Sequence, residues 1–491
     1  MAITVTKDMN HALGCTEALN FTTFRNIVGG KLVDTKEHRH GINPATLTQL
    51  PDVPIATQHD LDNAVECATA AFKTWSCTPY IERRAALLSF ADAFEAKSKE
   101  FAQLLTVEQG KPIFQAETEV TTSVRWIRST AELGDVGKDE VIEDNSDRKV
   151  ILRYTPLGVI AAIVPWNFPI LLEVSKLAPA LLTGNCMIIK PSPFTPYSGL
   201  KIAELAQSFF PSGVVQALSG DDSLGPWLVA HPGIQKISFT GSTATGRLVA
   251  ASAAQTLKRV TLELGGNDPA IICENVDIQT TAAKVVTFAF LNAGQICMAI
   301  KRVYIHESIY DEFLHAMISH VKTLAVGNGM DEDVFCGPVQ NKLQYDRVQA
   351  FLNDAKKRHQ KIAVGDQTCS GLGYFISPTI IDNPGDDSKI VIEEPFGPIL
   401  PILPWSSEND VIFRANDTNM GLGASVWSRD LEQAERLARQ LDVGTVWINK
   451  HFDPLPNAPF GGHKDSGIGV EFGVAGLQSM CNLQTVMFNK V

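Results

Sequence analysis

A thiol, a carboxylate and an amide stand at breaks between predicted elements, where their chemistry could be combined. Cys297 closes the segment 292–297, whose glycine at position 294 could leave the thiol exposed and touched by backbone N–H dipoles. An unperturbed thiol is only a few per cent thiolate at neutral pH, so a nucleophilic role requires such activation. Most cysteines are buried and inert, and composition does not single out Cys297 among the nine in the chain.

The carboxylate is that of Glu263, in the stretch 258–264, where apolar and polar residues alternate. The alternation predicts a half-buried strand with Val260 and Leu262 on one face and Glu263 on the other. A carboxylate desolvated at the end of that strand would have a raised pKa and could act as a general base. The alternative is a glutamate that pairs with a surface lysine.

The amide is that of Asn167, which lies between Pro165 and Pro169 at the end of the most apolar run of the chain. An amide directed into a cleft can hold an oxyanion, a role worth roughly 2.7–4 kcal/mol of transition-state stabilisation in acyl-transfer sites. The alternative is an asparagine that satisfies the backbone groups of its own turn.

The elements that must position these side chains are short apolar runs alternating with helical patterns. The runs 159–164, 187–189 and 237–239 each end in an abrupt change of chemistry, and helical stretches such as 201–209 lie between them. Buried strands alternating with helices predict βαβ units and a parallel sheet. Because ligands of open α/β sheets bind beyond the carboxyl ends of the strands, we expect a binding cleft at these three endings.

A glycine-flanked turn, Gly241 to Gly246, follows one of these predicted strands and begins a predicted helix. It resembles the dinucleotide fingerprint G-x-G-x-x-G in its first and third glycines, but Thr243 occupies the middle position. A phosphate could still bind at the helix N-terminus with help from the Ser242 hydroxyl. An ordinary helix N-cap explains the same residues equally well.

Length and charge restrict the class of protein. The 491 residues predict roughly three domain-sized units. With 42 basic and 54 acidic residues, the net charge of −12 disfavours nucleic acid and anionic membranes as partners. No cysteines form a C-x-x-C pair, so neither a disulfide framework nor a metal site is predicted, and free thiols fit a reducing compartment such as the cytoplasm.

No targeting or membrane segment is predicted. Residues 1–14 lack the basic start and apolar core of a signal peptide. The uncharged stretch 155–172 contains three prolines, which argues against a membrane span.

Seven motifs, in order along nearly the whole chain, resemble those of the aldehyde dehydrogenase superfamily. Together they are far more specific than any one of them, and they lie at residues 165–169, 190–192, 239–243, 262–266, 292–297, 393–398 and 459–467. The resemblance implies an α/β fold with a Rossmann-like cofactor domain, an α/β catalytic domain and a small β oligomerisation extension. It also implies a homodimer or homotetramer.

The resemblance divides the chain as follows: a cofactor-binding domain at 1–139 and 155–264, a catalytic domain at 265–449, a return to the cofactor domain at 450–477, and the oligomerisation extension at 140–154 and 478–491.

The resemblance implies oxidation of an aldehyde to a carboxylic acid with NAD or NADP. Cys297 would attack the aldehyde to give a thiohemiacetal and then a thioester, while Asn167 and the Cys297 N–H hold the oxyanion. Glu263 would activate the hydrolytic water, with Lys176 passing protons to it. Because acylating relatives that use coenzyme A tend to lack this base, Glu263 favours a free acid as the product.

The resemblance also implies the binding residues, and it implies no metal. Those expected to contact the cofactor are Trp166, Lys190, Ser192, Gly241, Ser242, Glu394 and Phe396. Those expected to line the aldehyde pocket are Phe168, Leu172, Ile296, Met298 and Phe452, and their apolar character favours a neutral or aromatic aldehyde.

The sequence departs from the family pattern at Pro193. Many NAD-preferring members carry a glutamate there, whose carboxylate binds the ribose and repels a 2′-phosphate. We therefore expect NADP to be tolerated. Two other functions stay open: a catalytically silent structural or binding protein on the same fold, and a thioesterase or esterase that needs no nucleotide.

Overall fold

The computed structural model describes residues 19–366 and 372–490. The segment 1–14, for which no signal peptide is predicted, lies outside the described residues. Within them, no helix is both long and apolar enough to cross a membrane.

The described residues form 22 strands, which in chain order are β1 (Asn26–Val28), β2 (Lys31–Val33), β3 (His38–Ile42), β4 (Gln49–Pro54), β5 (Glu140–Asp144), β6 (Arg148–Pro156), β7 (Val159–Ile163), β8 (Cys186–Lys190), β9 (Val215–Ala217), β10 (Lys236–Thr240), β11 (Arg259–Glu263), β12 (Asp268–Ile272), β13 (Ile300–His306), β14 (Lys361–Val364), β15 (Thr379–Asp382), β16 (Ile399–Trp405), β17 (Met420–Gly421), β18 (Gly423–Trp427), β19 (Thr445–Ile448), β20 (His463–Lys464), β21 (Gly467–Ile468) and β22 (Cys481–Asn489).

The same residues form 15 α-helices, which are α1 (Gln58–Trp75), α2 (Tyr80–Glu95), α3 (Ser98–Gln109), α4 (Ile113–Ala131), α5 (Pro169–Leu182), α6 (Tyr197–Ala206), α7 (Leu224–Ala230), α8 (Thr243–Ala254), α9 (Ile278–Phe290), α10 (Tyr310–Val321), α11 (Lys342–Lys357), α12 (Lys389–Ile392), α13 (Glu408–Asn416), α14 (Leu431–Ala438) and α15 (Gly473–Gln478).

The first large sheet has eight strands in the order β2-β1-β9-β8-β7-β10-β11-β21. Its five central strands, which are β9, β8, β7, β10 and β11, are parallel. Antiparallel strands, β1 beside β9 and β21 beside β11, lie on either side of them. Every residue of β7, β8 and β10 is buried, as expected for central strands of a parallel sheet that is covered on both faces. The predicted α/β class with parallel sheets is thus confirmed.

The order of these parallel strands creates a crevice. The chain runs outward from β7 through β8 to β9, then returns to the other side of β7 with β10 and β11. In an open α/β sheet, ligands bind at the carboxyl ends of the two strands on either side of such a reversal. Those two strands are β7, which leads into Trp166 and Asn167, and β10, which leads into Gly241 and Ser242.

A second sheet of seven strands has the order β14-β15-β16-β13-β12-β18-β19, and all its pairings except β14 with β15 are parallel. Cys297 lies just before β13, in the middle of this sheet. A third sheet joins the hairpin β5–β6 to the C-terminal strand β22, which pairs with β6 over nine residues.

The strand β11 corrects one expectation. It was predicted to be a half-buried strand with Glu263 on its polar face, but Thr261 and Glu263 are buried together with Leu262. The reason is that segments distant in the chain cover the polar face, since Lys176 on α5 and Glu471 lie close enough to Glu263 to influence its pKa. Alternation within β11 could not reveal those covering segments.

Candidate active site

The loop that carries Cys297 has a tightly specified backbone. Helix α9 is followed by a short 3-10 segment, Leu291–Gly294, in which Asn292 and Ala293 adopt left-handed conformations with φ of 50° and 53°. Gly294 also has a positive φ, and a Cβ there would lie 2.3 Å from the carbonyl oxygen of Gly397. Glycine is therefore required at this position, two residues before the buried Ile296 and three before Cys297.

Cys297 is half-buried among apolar side chains. Burial raises the pKa of its thiol to about 12, while the Lys301 ammonium acts in the opposite direction. Lys301 donates a hydrogen bond to the main-chain carbonyl oxygen of Cys297. The thiol thus has a nearby positive charge, which favours the nucleophilic thiolate.

Asn167 is buried and is hydrogen-bonded to the loop of Cys297. Its Nδ2 donates to the carbonyl oxygen of Gln295 at 3.0 Å, two residues before the thiol. The main-chain carbonyl oxygen of Asn167 accepts hydrogen bonds from Lys111 Nζ at 2.9 Å and from Asn292 Nδ2 at 3.2 Å. The side-chain amide therefore contacts a different loop rather than satisfying its own turn, and one of its two N–H bonds has no partner among the described residues.

Glu263, at the end of β11, is buried with neither carboxyl oxygen hydrogen-bonded to any described residue. Burial raises its pKa well above the ordinary value, the carboxylate of Glu471 raises it further, and Lys176 lowers it. The alternative, pairing with a surface lysine, does not occur in the part of the chain that the structure describes. An unpartnered buried carboxyl group with a raised pKa is the property expected of a general base.

Lys176, on α5, forms a buried ion pair that the sequence analysis missed. Its Nζ lies 2.5 Å from an Oε1 of Glu471, and the same oxygen accepts from the Ser238 hydroxyl at 2.9 Å. A lysine on a helix as apolar as α5 requires a carboxylate partner, and this requirement is the feature of the sequence that could have indicated an ion pair. The partner lies 295 positions away and could not be identified from sequence.

The predicted cofactor residues lie around the crevice. The rings of Trp166 and Phe396 meet edge to face at a centroid distance of 5.4 Å. Glu394 Oε1 lies 3.1 Å from Lys301 Nζ and accepts from the N–H of Gly266 at 3.3 Å. A Cβ on Gly265 would lie 2.5 Å from the other oxygen of Glu394, so this backbone must approach the carboxylate without a side chain.

Ser242 is the N-cap of α8, accepting a hydrogen bond from the N–H of Thr245 at 3.3 Å. The N–H of Gly241 donates to the carbonyl of Glu263 at 3.0 Å, which ties this turn to the end of β11. The capping explanation is therefore correct. It is compatible with a phosphate, because the first turn of α8 is exposed at the mouth of the crevice.

Lys190 ends β8 and is buried, and its ammonium has no hydrogen bond or ion pair among the described residues. Burial lowers its pKa to about 8, with Arg39 contributing in the same direction and the carboxylates of Asp222 and Asp221 opposing. Ser192 accepts a hydrogen bond from the backbone of its own turn. These groups, the aromatic pair and the exposed helix terminus fit a dinucleotide with its anionic groups.

Four of the five predicted pocket residues surround Cys297, namely Phe168, Ile296, Met298 and Phe452. Phe168 and Phe452 contact each other at a centroid distance of 6.1 Å. Leu172 instead packs against the core of the first sheet. The sequence analysis missed the other aromatic members of this cluster, which are Trp447, Phe460 and Phe472.

Comparison with known proteins agrees with this geometry. Residues 33–486 match the model of the aldehyde dehydrogenase family. The chain belongs to the aldehyde dehydrogenase family. It is 44% identical to an aldehyde dehydrogenase of a Fusarium species over 96% of this chain and all of that protein. It is 36% identical to the phenylacetaldehyde dehydrogenase of Pseudomonas fluorescens, over 96% of each.

Solved structures of other aldehyde dehydrogenases superpose closely. The NAD+ complex of the Bacillus cereus enzyme has a TM-score of 0.93 at 34% identity, covering 95% of this chain and 96% of that one. The betaine aldehyde dehydrogenase of Staphylococcus aureus, also solved with NAD+, has a TM-score of 0.93 at 32% identity, covering 96% of both. This aldehyde dehydrogenase is accordingly an enzyme that oxidises aldehydes with NAD(P).

Proposed function

We propose that this aldehyde dehydrogenase converts a neutral or aromatic aldehyde to its carboxylic acid through a covalent intermediate on Cys297. The observation that carries the proposal is the meeting of three groups at the junction of the two large sheets. Asn167 is hydrogen-bonded to the Cys297 loop, and the unpartnered carboxyl group of Glu263 lies close enough to influence the Cys297 thiol.

The first step is attack of the Cys297 thiolate on the aldehyde carbon. The hydrogen bond from Asn167 to the Gln295 carbonyl fixes the orientation of the amide, and the second N–H of that amide then donates to the oxyanion together with the N–H of Cys297. Both donors are held before the substrate arrives, so little reorganisation is needed as the negative charge develops.

The second step removes a hydride and leaves a thioester on Cys297. When bound, NAD(P) supplies the hydride acceptor. Trp166 and Phe396 offer apolar ring surface, Glu394 can hold ribose hydroxyls, and the exposed N-terminus of α8 at Ser242 can hold a phosphate group.

The third step is hydrolysis of the thioester. Glu263 in its ionised form takes a proton from water as the water oxygen attacks the thioester carbon. The carbon–sulfur bond then breaks, which releases the acid and returns the Cys297 thiolate. The buried pair of Lys176 and Glu471 influences the pKa of Glu263 and is placed to relay that proton onward. The raised pKa makes the ionised carboxylate of Glu263 a stronger base than that of an exposed glutamate.

The apolar surroundings of Cys297 support a neutral or aromatic substrate. Among the described residues, the two lysines near this cluster are engaged: Lys111 is paired with Glu119 and lies 3.8 Å over the Phe168 ring, and Lys301 is paired with Glu394. Neither is free to bind a substrate carboxylate. The 36% identity to a phenylacetaldehyde dehydrogenase is in keeping with this preference.

We propose that NADP is tolerated beside NAD. Pro193 carries no carboxylate to repel a 2′-phosphate, and Lys190 has a second cation, Arg39, close enough to influence its pKa. The carboxylates of Asp221 and Asp222 are also near, so we do not expect NADP to be required.

We also propose a homo-oligomer assembled through the sheet of β5, β6 and β22. Both of its outer strands are edges, and edge strands readily pair with another chain. Five apolar side chains on these edges are between 50% and 68% exposed, namely Val141, Ile142, Leu483, Met487 and Phe488. Sedimentation velocity tests this proposal, which a monomer at micromolar concentration would contradict.

The test of the catalytic proposal is a panel of aldehydes assayed by absorbance of the reduced cofactor with NAD+ and with NADP+. We expect aromatic and neutral aldehydes to exceed succinic semialdehyde in kcat/KM, both cofactors to support turnover, and Cys297→Ala to abolish it. No turnover with any aldehyde points to a catalytically silent protein, and ester hydrolysis without nucleotide binding points to an esterase.

A further inference from the structure

Lys301 lies in the reaction centre but belongs to none of the sequence motifs. It is the second residue of β13, and its side chain is only 3% exposed. Its ammonium donates to the main-chain carbonyl oxygen of Cys297 and lies 3.1 Å from Oε1 of Glu394. One buried cation therefore contacts both the nucleophile's backbone and the carboxylate assigned to the cofactor ribose.

The contacts of Lys301 leave little freedom to either partner. On the other side of the Cys297 carbonyl lies Gly266, where an added Cβ would come within 2.5 Å of that oxygen. The N–H of Gly266 donates to the same Glu394 oxygen that pairs with Lys301. Cys297, Lys301, Glu394 and Gly266 thus form a closed ring of contacts. Burying an ammonium is costly, and these two oxygen partners offset that cost.

We propose that Lys301 is a positioning residue that couples the thiol of Cys297 to the cofactor-binding carboxylate of Glu394. It fixes the peptide after the nucleophile, supplies positive charge to the thiolate, and restrains the orientation in which Glu394 meets a ribose. This inference rests on the roles proposed above for Cys297 and Glu394.

The charged groups that face Cys297 come from several elements. Lys301 on β13 favours the thiolate, whereas Glu394, Asp268 on β12 and Glu263 on β11 disfavour it. Asp268 is buried, and burial raises the pKa of its carboxyl group to about 8. Lys301 is the cation in this set, so its replacement by methionine leaves only carboxyl groups of the set near the thiol.

A purely structural role for Lys301 predicts different behaviour. If the lysine only neutralises a buried carboxylate, its replacement lowers the free energy of unfolding but leaves the ionisation of Cys297 unchanged in the folded protein. The pH dependence of thiol reactivity therefore separates the two roles.

The experiment measures iodoacetamide alkylation of the Cys297 peptide by mass spectrometry across a pH series, and NAD+ binding by fluorescence titration, for the full chain and Lys301→Met. We expect the alkylation profile to move about one pH unit upward, which slows alkylation roughly tenfold below its midpoint. We also expect weaker NAD+ binding. Lys301→Arg should recover part of both effects, because a cation is retained.

Two further variants complete the design. Lys97→Met removes a lysine from an exposed pair with Glu100 on the surface and should change neither readout. Glu394→Gln removes an anion near the thiol and leaves Lys301 in place, so it should move the alkylation profile in the opposite direction, downward in pH. This variant keeps the proposal testable if Lys301→Met does not fold.

The outcomes are distinguishable. Unchanged profiles and NAD+ affinity in folded Lys301→Met, or an unchanged profile in Glu394→Gln, overturn the role of Lys301 and leave the catalytic proposal intact. A Cys297 that is not alkylated at any pH, or wild-type protein that binds no NAD+, contradicts the proposed function itself.

Discussion

Two buried glutamates, Glu119 and Glu263, have sharply different surroundings. Glu119, on α4, accepts hydrogen bonds on Oε1 from the N–H groups of Ile170 and Leu171 at 3.0 and 3.1 Å, and on Oε2 from Lys111. Glu263 is equally buried but neither of its oxygens has a hydrogen-bond partner among the described residues.

The difference shows that burial by itself does not leave a carboxyl group available to act as a base. The carboxylate of Glu119 is engaged on both oxygens, so it serves as the N-terminal anchor of α5 and the counter-ion of Lys111, which in turn holds the Asn167 carbonyl. The oxygens of Glu263 are free to receive a proton from water. A missing partner therefore separates Glu263 from Glu119. It is not sufficient for a base, since both carboxyl oxygens of Glu173 are also buried without a hydrogen-bond partner among the described residues, and Glu263 differs from Glu173 in lying close enough to influence the Cys297 thiol.

The largest expected effect separates the two glutamates by activity. Glu263→Gln should still allow hydride transfer but lower steady-state turnover by about 10²–10⁴-fold, the usual contribution of a general base. Stopped-flow absorbance should show a burst of reduced cofactor followed by a near stall. Turnover at the wild-type rate would remove Glu263 from the mechanism.

The next effect separates them by stability. Glu119→Ala leaves the buried Lys111 without its counter-ion and α5 without its anchor, so we expect a loss of about 3–5 kcal/mol in the free energy of unfolding by urea denaturation. Glu263→Gln, which breaks no hydrogen bond or ion pair, is the matched control and should change it much less. Equal losses in the two variants would contradict the comparison.

The smallest effect is a pH dependence specific to Glu263. Its pKa in the folded state lies well above the ordinary value of 4.5, so between these two values the folded protein binds a proton that the unfolded chain has released. Stability therefore falls as the pH rises through that window. Glu263→Gln should lack this part of the decline in stability. Urea denaturation midpoints of Glu263→Gln and the wild-type protein that change in parallel between pH 5 and 8 would contradict this prediction.

Local sequence predicted the elements on which the site is built. The three apolar runs became the buried strands β7, β8 and β10, and the glycine-flanked turn became the start of α8. These patterns succeed because the apolar character of a central parallel strand and the cap of a helix are properties of a few consecutive residues.

Contacts between distant segments were not predictable in the same way. Glu471, Lys301 and Lys111 were missed, because each gains its role from a partner on another element: Lys176, Glu394 and the Asn167 carbonyl. A charged residue in an apolar segment indicates that a partner is required, but a single sequence does not identify the residue that provides it.

The sequence by itself determined which reactive side chains are available and which strands lead into them. It also determined the family, through the order of the motifs along the chain. Only the tertiary structure decided which carboxyl group is engaged and which is free, since two glutamates have the same intrinsic pKa until neighbouring donors and charges set them apart. Those neighbours are brought together by the packing of the two sheets, across separations in the chain that no local pattern records.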